Sequence, residues 1–300
     1  MNKELFSKIS GKIKLNEQLD RHTTIRIGGP CDYWIEPKDE RDLKRGLEIC
    51  RKNAIPAFVI GKGGHLLVRD EGYRGAVFSL TAESFKKRSV SGQRVVAGAG
   101  TSLAKLIRFT CEKGLEGLES MTGIPGTVGG AVFMNAGGWK NPIYSTIGDC
   151  VESVKVMDYD GVIHRLKKNK LAFGYRSSNL DDYVILEVTL KLKKLNKEAL
   201  LNQCRKFLKM KRDKQTLDAP SAGCIFKNPE GKHFTSGQLI DMMGLKGKCS
   251  GRAQISNKHG NFIVNSGKAT FRDVTKLIEM IRSEAKKNYD VDLDLEVRIL

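Results

Sequence analysis

The sequence is poor in the features that mark several special classes of protein. Proline occurs only seven times and tryptophan only twice in 300 residues, against 40% hydrophobic and 29% charged residues. This composition is that of a globular chain and excludes collagen, coiled coils and wholesale disorder. No run reaches the ~18 apolar residues that a membrane-spanning helix needs. The seven cysteines include no C-x-x-C pair, which excludes a zinc ribbon and a dithiol redox motif. We therefore expect a reduced, cytoplasmic protein without a metal site or a membrane contact.

The charge balance is basic, with 52 Lys and Arg against 34 Asp and Glu and a net charge of +18. A cationic surface attracts polyanions, either nucleic acid or phosphorylated small molecules. The basic residues are spread along the chain without a block of five or six like charges. Aromatic residues make up only 7%, and no nucleic-acid-reading helix is recognisable. We expect a lysine-rich solvated surface and no nucleic-acid partner.

Strands and helices alternate along the chain, which predicts an α+β fold. Strands are expected over residues 33–36, 57–60, 66–68, 76–80, 95–97, 151–157, 162–166, 183–192, 261–264 and 292–300. Helices are expected over 39–52, 196–211, 236–243 and 270–289, with another that Thr101 or Ser102 caps and that ends at Gly114. The helix from 196 marks a boundary between a larger domain, 1–195, with subdomains of about 1–80 and 81–195, and a smaller domain, 196–300.

Glycine is concentrated in three short stretches. They are Gly61-Lys62-Gly63-Gly64, Gly98-Ala99-Gly100-Thr101-Ser102 and Gly123-Ile124-Pro125-Gly126-Thr127-Val128-Gly129-Gly130. The first two follow predicted strands, and glycine allows main-chain N–H groups to converge on a pyrophosphate. Any one of these stretches alone is better explained as a tight turn.

The third stretch continues directly into small and apolar residues that include Asn135 and Ala136. Such residues suit a backbone packed against a flat ring system. The sequence has neither the G-x-G-x-x-G dinucleotide fingerprint in its usual context nor a G-x-x-x-x-G-K-[ST] phosphate loop. A dinucleotide would therefore have to bind in another way.

Residues 123–130, with Asn135 and Ala136, resemble the flavin-binding core of the UDP-N-acetylenolpyruvoylglucosamine reductase family, which acts in peptidoglycan precursor synthesis. Five further segments follow the order of the family's motifs. They are HTTIRIGG at 22–29, the first glycine stretch with its continuation at 61–68, FGYR at 173–176, SAGCIFKNP at 221–229 and EVR at 296–298. The resemblance spans almost the whole chain, and motifs that share an order are far more specific than any one alone.

The resemblance implies a flavoenzyme. Family members bind FAD noncovalently in a vanillyl-alcohol-oxidase-like (PCMH-type) domain of two α/β subdomains, and a smaller α+β C-terminal domain closes over a nucleotide-sugar substrate. NADPH reduces the flavin, which then reduces the enolpyruvyl ether of the substrate to UDP-N-acetylmuramate. Members of the family are usually monomers, so the resemblance also implies a monomer. The positions expected to bind FAD are Gly61, Lys62, Gly63, Gly64, His65, Gly98, Ala99, Gly100, Thr101, Gly123, Ile124, Pro125, Gly126, Thr127, Gly129, Gly130, Asn135 and Ala136.

Three residues match the family's catalytic positions. Arg176 is expected to hold the enolpyruvyl carboxylate as an enolate forms, because its guanidinium is a permanently charged fork. Cys224 stands at the proton-donor position, where many members carry serine, and a thiol of pKa ~8.5 stays mostly protonated at neutral pH. Glu296 is expected to polarise the substrate. The plainer interpretations are a surface arginine, a small buried cysteine and an exposed residue of an alternating strand.

Substrate contacts are expected at Tyr175, Lys214, Asn228 and Arg298, on the same resemblance. The chain also departs from the family pattern, since His65 and Leu66 follow the first glycine loop where a Ser-Asn pair is common. Gly63-Gly64-His65 resembles the histidine site of covalent flavoenzymes with this fold. The alternative is therefore an FAD-dependent oxidase of the same fold, with the flavin attached at His65. Val184 comes only eight positions after Arg176, which places the chain in the subclass without an extra substrate-capping loop.

Overall fold

A computed structural model describes residues 3–140 and 143–300. The chain forms two compact units, each assembled from separate segments. The first contains the chain up to Asn16 with Asp32–Lys62 and Arg74–Lys209, and the second contains Glu17–Cys31, Gly63–Tyr73 and Met210–Leu300. The predicted division at residue 196 stays a prediction, because these units group residues by packing rather than by consecutive sequence.

The secondary structure mixes helices and strands in both units. The described α-helices are α1 Glu40–Lys52, α2 Leu103–Glu112, α3 Val128–Phe133, α4 Ile147–Cys150, α5 Lys197–Lys214, α6 Ser236–Met242 and α7 Phe271–Tyr289. The described strands are β1 Lys12–Gln18, β2 Pro30–Glu36, β3 Ala57–Ile60, β4 Leu66–Leu67, β5 Tyr73–Ser79, β6 Arg88–Ser91, β7 Arg94–Gly98, β8 Leu115–Glu116, β9 Gly137–Lys140, β10 Ile143–Thr146, β11 Val151–Asp158, β12 Ile163–Lys167, β13 Phe173–Gly174, β14 Ser177–Ser178, β15 Tyr183–Lys191, β16 Lys193–Lys194, β17 Ser221–Cys224, β18 Cys249–Ser250, β19 Ala253–Ile255, β20 Phe262–Asn265 and β21 Arg298–Ile299. In the part of the chain that the structure describes, no helix combines the length and apolarity that crossing a bilayer requires.

The first unit contains two larger sheets over one continuous apolar core. One sheet has the strand order β1-β2-β5-β3, with β3 and β5 parallel. The other has the order β12-β11-β15-β7-β6, and each neighbouring pair is antiparallel. The core takes Leu43 and Leu47 from α1, Leu106 from α2, and Val154 and Val188 from the second sheet. The first two glycine stretches leave this core where β3 and β7 end.

The second unit is built on the antiparallel sheet β17-β20-β19-β18 with helices α6 and α7. Its core joins the apolar face of α7 to Ile25, Ile27 and Leu67, which come from early in the chain. The short strands β4 and β21 pair in parallel, with Arg298 opposite Leu66. Residues 65–67 are thereby bonded to the last strand of the chain.

The α+β class is confirmed, and several predicted elements occur where the pattern placed them. The strand predicted over 57–60 is β3, and the helix predicted over 270–289 is α7, whose Thr270 hydroxyl accepts from Asp273 N. The strand predicted over 292–300 is wrong for most of its length, because only Arg298–Ile299 is a strand. Burial alternates through Val291 and Leu293 but then breaks, since the consecutive residues Glu296 and Val297 are both buried.

Candidate active site

In the first unit, the second and third glycine stretches are bonded to each other along their main chains. Val128 N donates to Thr101 O at 2.9 Å, and Gly129 N donates to Ala99 O at 2.9 Å. Leu103 N, at the start of α2, donates to Gly126 O at 3.0 Å. Ser102 occupies the N-cap position of α2, as expected, but neither its side chain nor that of Thr101 forms a cap hydrogen bond. A carbonyl of the third stretch accepts from the first amide of the helix instead.

The close approach of these stretches requires glycine at particular positions. A β-carbon at Gly129 would lie 2.9 Å from the Ala99 β-carbon, and one at Gly61 would lie 2.7 Å from Thr127 Oγ1. Thr127 Oγ1 in turn accepts from Gly130 N at 3.3 Å and caps the short helix α3. The third stretch is thus part loop and part helix, with its last three residues in α3.

The same loops offer features that a dinucleotide can use. A β-carbon at Gly126 would meet no atom within 4 Å, so the main chain there borders open space. Thr101 is only 2% exposed, and its Oγ1 has no hydrogen-bond partner among the described residues. Because a buried hydroxyl without a partner carries a desolvation cost, a ligand that hydrogen-bonds it would remove that cost. The loop residues therefore fit a bound FAD.

Arg176 lies at the tip of a two-residue hairpin between β13 and β14, next to Tyr175. Its φ of 56° is in the left-handed region, which is unfavourable for a non-glycine residue. Its guanidinium carbon lies 5.5 Å from the centroid of the exposed Tyr175 ring. The two-residue turn of a tight hairpin favours left-handed residues, so the turn itself accounts for this backbone conformation.

Asn135 anchors this hairpin to the segment that follows the third glycine stretch. The buried side chain donates from Nδ2 to Gly174 O at 2.8 Å and accepts at Oδ1 from Gly148 N at 3.1 Å. Ser178 Oγ adds a second tie by donating to Phe133 O at 2.7 Å. Both ends of the Asn135 amide are engaged by the protein, so the contact with the Arg176 hairpin is a role that the sequence did not indicate. The expected FAD contact of Asn135 stays a prediction.

The second unit brings together the other two candidate catalytic residues. Glu296 N donates to Ile225 O at 2.8 Å, and Lys227 N donates to Asp294 O at 2.8 Å. These bonds run the segment of Glu296 alongside the segment that follows Cys224. A register shift between Ser221 and Cys224 interrupts the pairing of β17 with β20, an irregularity that redirects side chains. Cys224 is partly exposed, unlike the small buried cysteine of the plainer interpretation.

Glu296 is not the exposed strand residue that the alternating pattern allows. Its side chain is only 3% exposed, and its Oε1 is hydrogen-bonded to His65 Nε2 at 2.8 Å. The residues stand 231 positions apart in sequence, so no local pattern could indicate the contact. His65 was expected to bind FAD, either noncovalently or as a covalent attachment site. The structure gives its Nε2 a carboxylate partner, and the FAD contact stays a prediction.

Three of the remaining predicted positions, Asn228, Lys214 and Arg298, are exposed residues of the second unit. Asn228 Oδ1 accepts from Ser236 N at 3.1 Å at the start of α6. Arg298 is exposed in β21, and Lys214 is the exposed last residue of α5. Gly63 and Gly64 also belong to this unit, whereas Gly61 and Lys62 belong to the first. The substrate and cofactor roles of these residues stay predictions.

Two family models match separate parts of the chain. A family model described as the FAD binding domain matches residues 31–167, and one described as the UDP-N-acetylenolpyruvoylglucosamine reductase C-terminal domain matches residues 215–300. A variant of Physcomitrella patens BBE-like 1, 14% identical and with a TM-score of 0.50 over 64% of this chain and 44% of that one, shares the fold alone. The expected FAD-binding fold is thereby confirmed.

Relatives and a solved structure match over nearly the whole chain. A UDP-N-acetylenolpyruvoylglucosamine reductase of Clostridium botulinum (strain Hall) is 41% identical over 293 residues, which cover 97% of this chain and 93% of that one. A second relative of that name, reductase 2 of Symbiobacterium thermophilum, is 41% identical over 96% of this chain and 92% of its own. The crystal structure of the reductase from Thermus caldophilus is 36% identical, with a TM-score of 0.81 over 97% of this chain and 99% of that one. The predicted resemblance is confirmed, and the chain belongs to the UDP-N-acetylenolpyruvoylglucosamine reductase family of FAD-dependent oxidoreductases.

Proposed function

We propose that the chain uses NADPH to reduce the enolpyruvyl ether of UDP-N-acetylglucosamine-enolpyruvate to UDP-N-acetylmuramate in peptidoglycan precursor synthesis. In the structure, the observation that carries the proposal is the main-chain bonding that sets the buried Glu296 beside the segment after Cys224. The printed names and the 41% identity of the relatives supply the substrate class. The expectations of a cytoplasmic location and a monomer stay predictions.

FAD, when bound, supplies the hydride chemistry that no side chain can supply. The residues that would hold it are those of the glycine stretches, with the main chain at Gly126 open to a ligand and the Thr101 hydroxyl buried without a partner among the described residues. Backbone amides and one hydroxyl suit a pyrophosphate, because they donate hydrogen bonds without the bulk of a long side chain.

Arg176 is assigned to the carboxylate of the substrate. Reduction of the enolpyruvyl double bond develops negative charge that spreads onto this carboxylate. A guanidinium can donate two parallel hydrogen bonds to a carboxylate, and such fixed donors stabilise developing charge without reorganising. The hairpin tip and its tie through Asn135 support this assignment, because they limit the positions that the side chain can reach.

Cys224 is assigned the proton and Glu296 the polarisation of the substrate. The carbon that carries the carboxylate must gain a proton, and a partly exposed thiol is a suitable acid for this step. A carboxyl group buried as deeply as that of Glu296 needs polar partners, so its orientation is fixed by the protein rather than by solvent. Tyr175, Lys214, Asn228 and Arg298 are proposed as contacts to the nucleotide sugar.

A spectrum and an assay test this function. The purified protein should show absorbance near ~370 and ~450 nm that moves to the supernatant on acid precipitation, as noncovalent flavin does. Under anaerobic conditions, NADPH should then be consumed beyond one equivalent per flavin only when the enolpyruvyl substrate is added, with UDP-N-acetylmuramate identified by mass spectrometry. Colour that stays with the precipitate, together with NADPH-independent oxidation of another substrate, would replace the proposal with the covalent oxidase.

A further inference from the structure

His65 lies in a tightly defined environment within the second unit. Its main-chain oxygen accepts from Arg298 N at 3.0 Å, through the parallel pairing of β4 with β21. Its ring Nδ1 lies 3.3 Å from Gly64 O, and its Nε2 is bonded to Glu296 Oε1 at 2.8 Å. Both ring nitrogens thus lie within hydrogen-bond distance of an oxygen atom, and the partner of Nε2 is the candidate catalytic carboxyl group.

A third side of the ring packs against the residue before Cys224. Gly223 has a φ of 74°, and a β-carbon there would lie 3.2 Å from His65 Cε1. A larger residue at position 223 would therefore press on the imidazole as well as strain the backbone. One ring contacts both the Cys224 segment and the Glu296 side chain, although these come from distant parts of the sequence.

The Glu296 side chain is much more deeply buried than that of His65. The Glu296 side chain is 3% exposed and that of His65 is 28% exposed. A buried carboxyl group depends on its hydrogen-bond partners for its orientation, since water cannot replace a lost bond. The imidazole, bonded at 2.8 Å, is therefore a group that helps to hold the carboxyl group in one orientation.

We propose that His65 is a positioning residue that acts through Glu296, and that it is neither a pyrophosphate ligand nor a covalent flavin site. By fixing one oxygen of the carboxyl group, His65 sets the direction in which Glu296 meets the enolpyruvyl ether. The inference rests on the proposed function, in which Glu296 polarises that substrate. It predicts that the loss of His65 impairs reduction of the ether and spares reduction of the flavin.

Rapid-mixing measurements of the two half-reactions test this role on the FAD-loaded protein. His65→Leu should slow the reoxidation of reduced enzyme by the enolpyruvyl substrate by ~10- to 100-fold, since misplacing a reacting group by about an ångström has costs of this size. The rate of flavin reduction by NADPH should stay within about twofold of the wild-type rate, because Glu296 is not proposed to act in that step. The flavin content should also stay within about twofold of the wild-type content. His65→Gln, whose amide nitrogen reaches the position of Nε2, should restore most of the rate. The control His164→Leu removes a histidine bonded to Asp158 at the same 2.8 Å and should leave both rates unchanged.

A double variant separates positioning from an independent effect. If His65 acts through Glu296, then His65→Leu combined with Glu296→Gln should be no slower than Glu296→Gln alone. The role would be overturned if the double variant showed the product of the two single losses, or if His65→Leu were reoxidised at the normal rate. It would also be overturned if His65→Leu lost its flavin, or if both His65→Leu and His65→Gln misfolded. A wild-type protein that NADPH reduces but the enolpyruvyl substrate does not reoxidise would instead overturn the proposed function and, with it, the reaction in which His65 is placed.

Discussion

The two units present their candidate site residues by different physical means. In the first, main-chain atoms of the glycine stretches form the bonds, and β-carbons are excluded at Gly61 and Gly129 by neighbours less than 3 Å away. In the second, side chains carry the interactions, with a buried carboxyl group, an imidazole and a partly exposed thiol. Substitutions in the first unit should therefore act through shape and anchoring, and those in the second through the chemistry of one reaction step.

The largest effect is expected from Cys224→Ala in the second unit. Removal of a general acid lowers rates by ~100- to 10,000-fold, and the loss should fall on reoxidation by the enolpyruvyl substrate. Reduction by NADPH should be unchanged, because no thiol is needed for it. Stopped-flow absorbance measures both steps, and the exposed Cys249→Ala is the matched control in the same unit. An equal loss in both steps would remove the proton-donor role.

A smaller effect is expected from Asn135→Asp in the first unit. The change keeps the acceptor for Gly148 N but replaces the donor to Gly174 O with a second acceptor. The Arg176 hairpin should then lose its anchor, and turnover should fall by ~10- to 100-fold through misplacement of the guanidinium. Asn179→Asp is the control, because Asn179 ties the base of the same hairpin from an exposed position where water can replace the bond. Unchanged turnover in Asn135→Asp would show that the anchor is not needed.

The smallest effect is expected from Thr101→Val. The Thr101 hydroxyl has no partner among the described residues, so the protein without flavin should lose no stability when it is replaced by a methyl group. FAD affinity should fall by about fivefold, the equivalent of ~1 kcal/mol for one hydrogen bond. Titration of the flavin-free protein measures the affinity, and thermal unfolding measures the stability.

Thr110→Val is the matched control for Thr101→Val, because the Thr110 hydroxyl has a hydrogen-bond partner within the protein. Thr110 is fully buried in α2, and its hydroxyl donates to Ile107 O at 2.9 Å. Its replacement should lower the stability by about 1 kcal/mol and leave the affinity for FAD unchanged. A loss of stability in Thr101→Val without a loss of affinity would argue that this hydroxyl serves the fold.

Local pattern was sufficient for the elements whose periodicity is strong. The apolar spacing of Val274, Leu277, Ile278 and Ile281 predicts α7, and the capping Thr270 sets its start. The strand β1 was missed, because it is mostly polar and its two apolar residues, Ile13 and Leu15, are only partly buried. Periodicity also failed at Glu296, where alternation predicts exposure but the segment turns two consecutive side chains inward.

The site could be predicted only as far as motifs identify residues. The family resemblance named Arg176, Cys224 and Glu296, but it gave His65 and Asn135 cofactor roles without their protein partners. The His65–Glu296 bond joins residues 231 positions apart, and the Asn135–Gly174 bond joins residues 39 apart. Such contacts depend on how β4 pairs with β21 and where the β13–β14 hairpin packs. Neither the β4–β21 pairing nor the packing of the hairpin can be recognised from a single sequence.

Anaerobic single-turnover spectroscopy of the wild-type protein tests the central claim most directly. One equivalent of NADPH should bleach the ~450 nm absorbance of the bound flavin, and UDP-N-acetylglucosamine-enolpyruvate should then restore it with one UDP-N-acetylmuramate formed per flavin. Full recovery with that product is the predicted result. A flavin that NADPH bleaches and that stays bleached after the enolpyruvyl substrate is added would contradict the account.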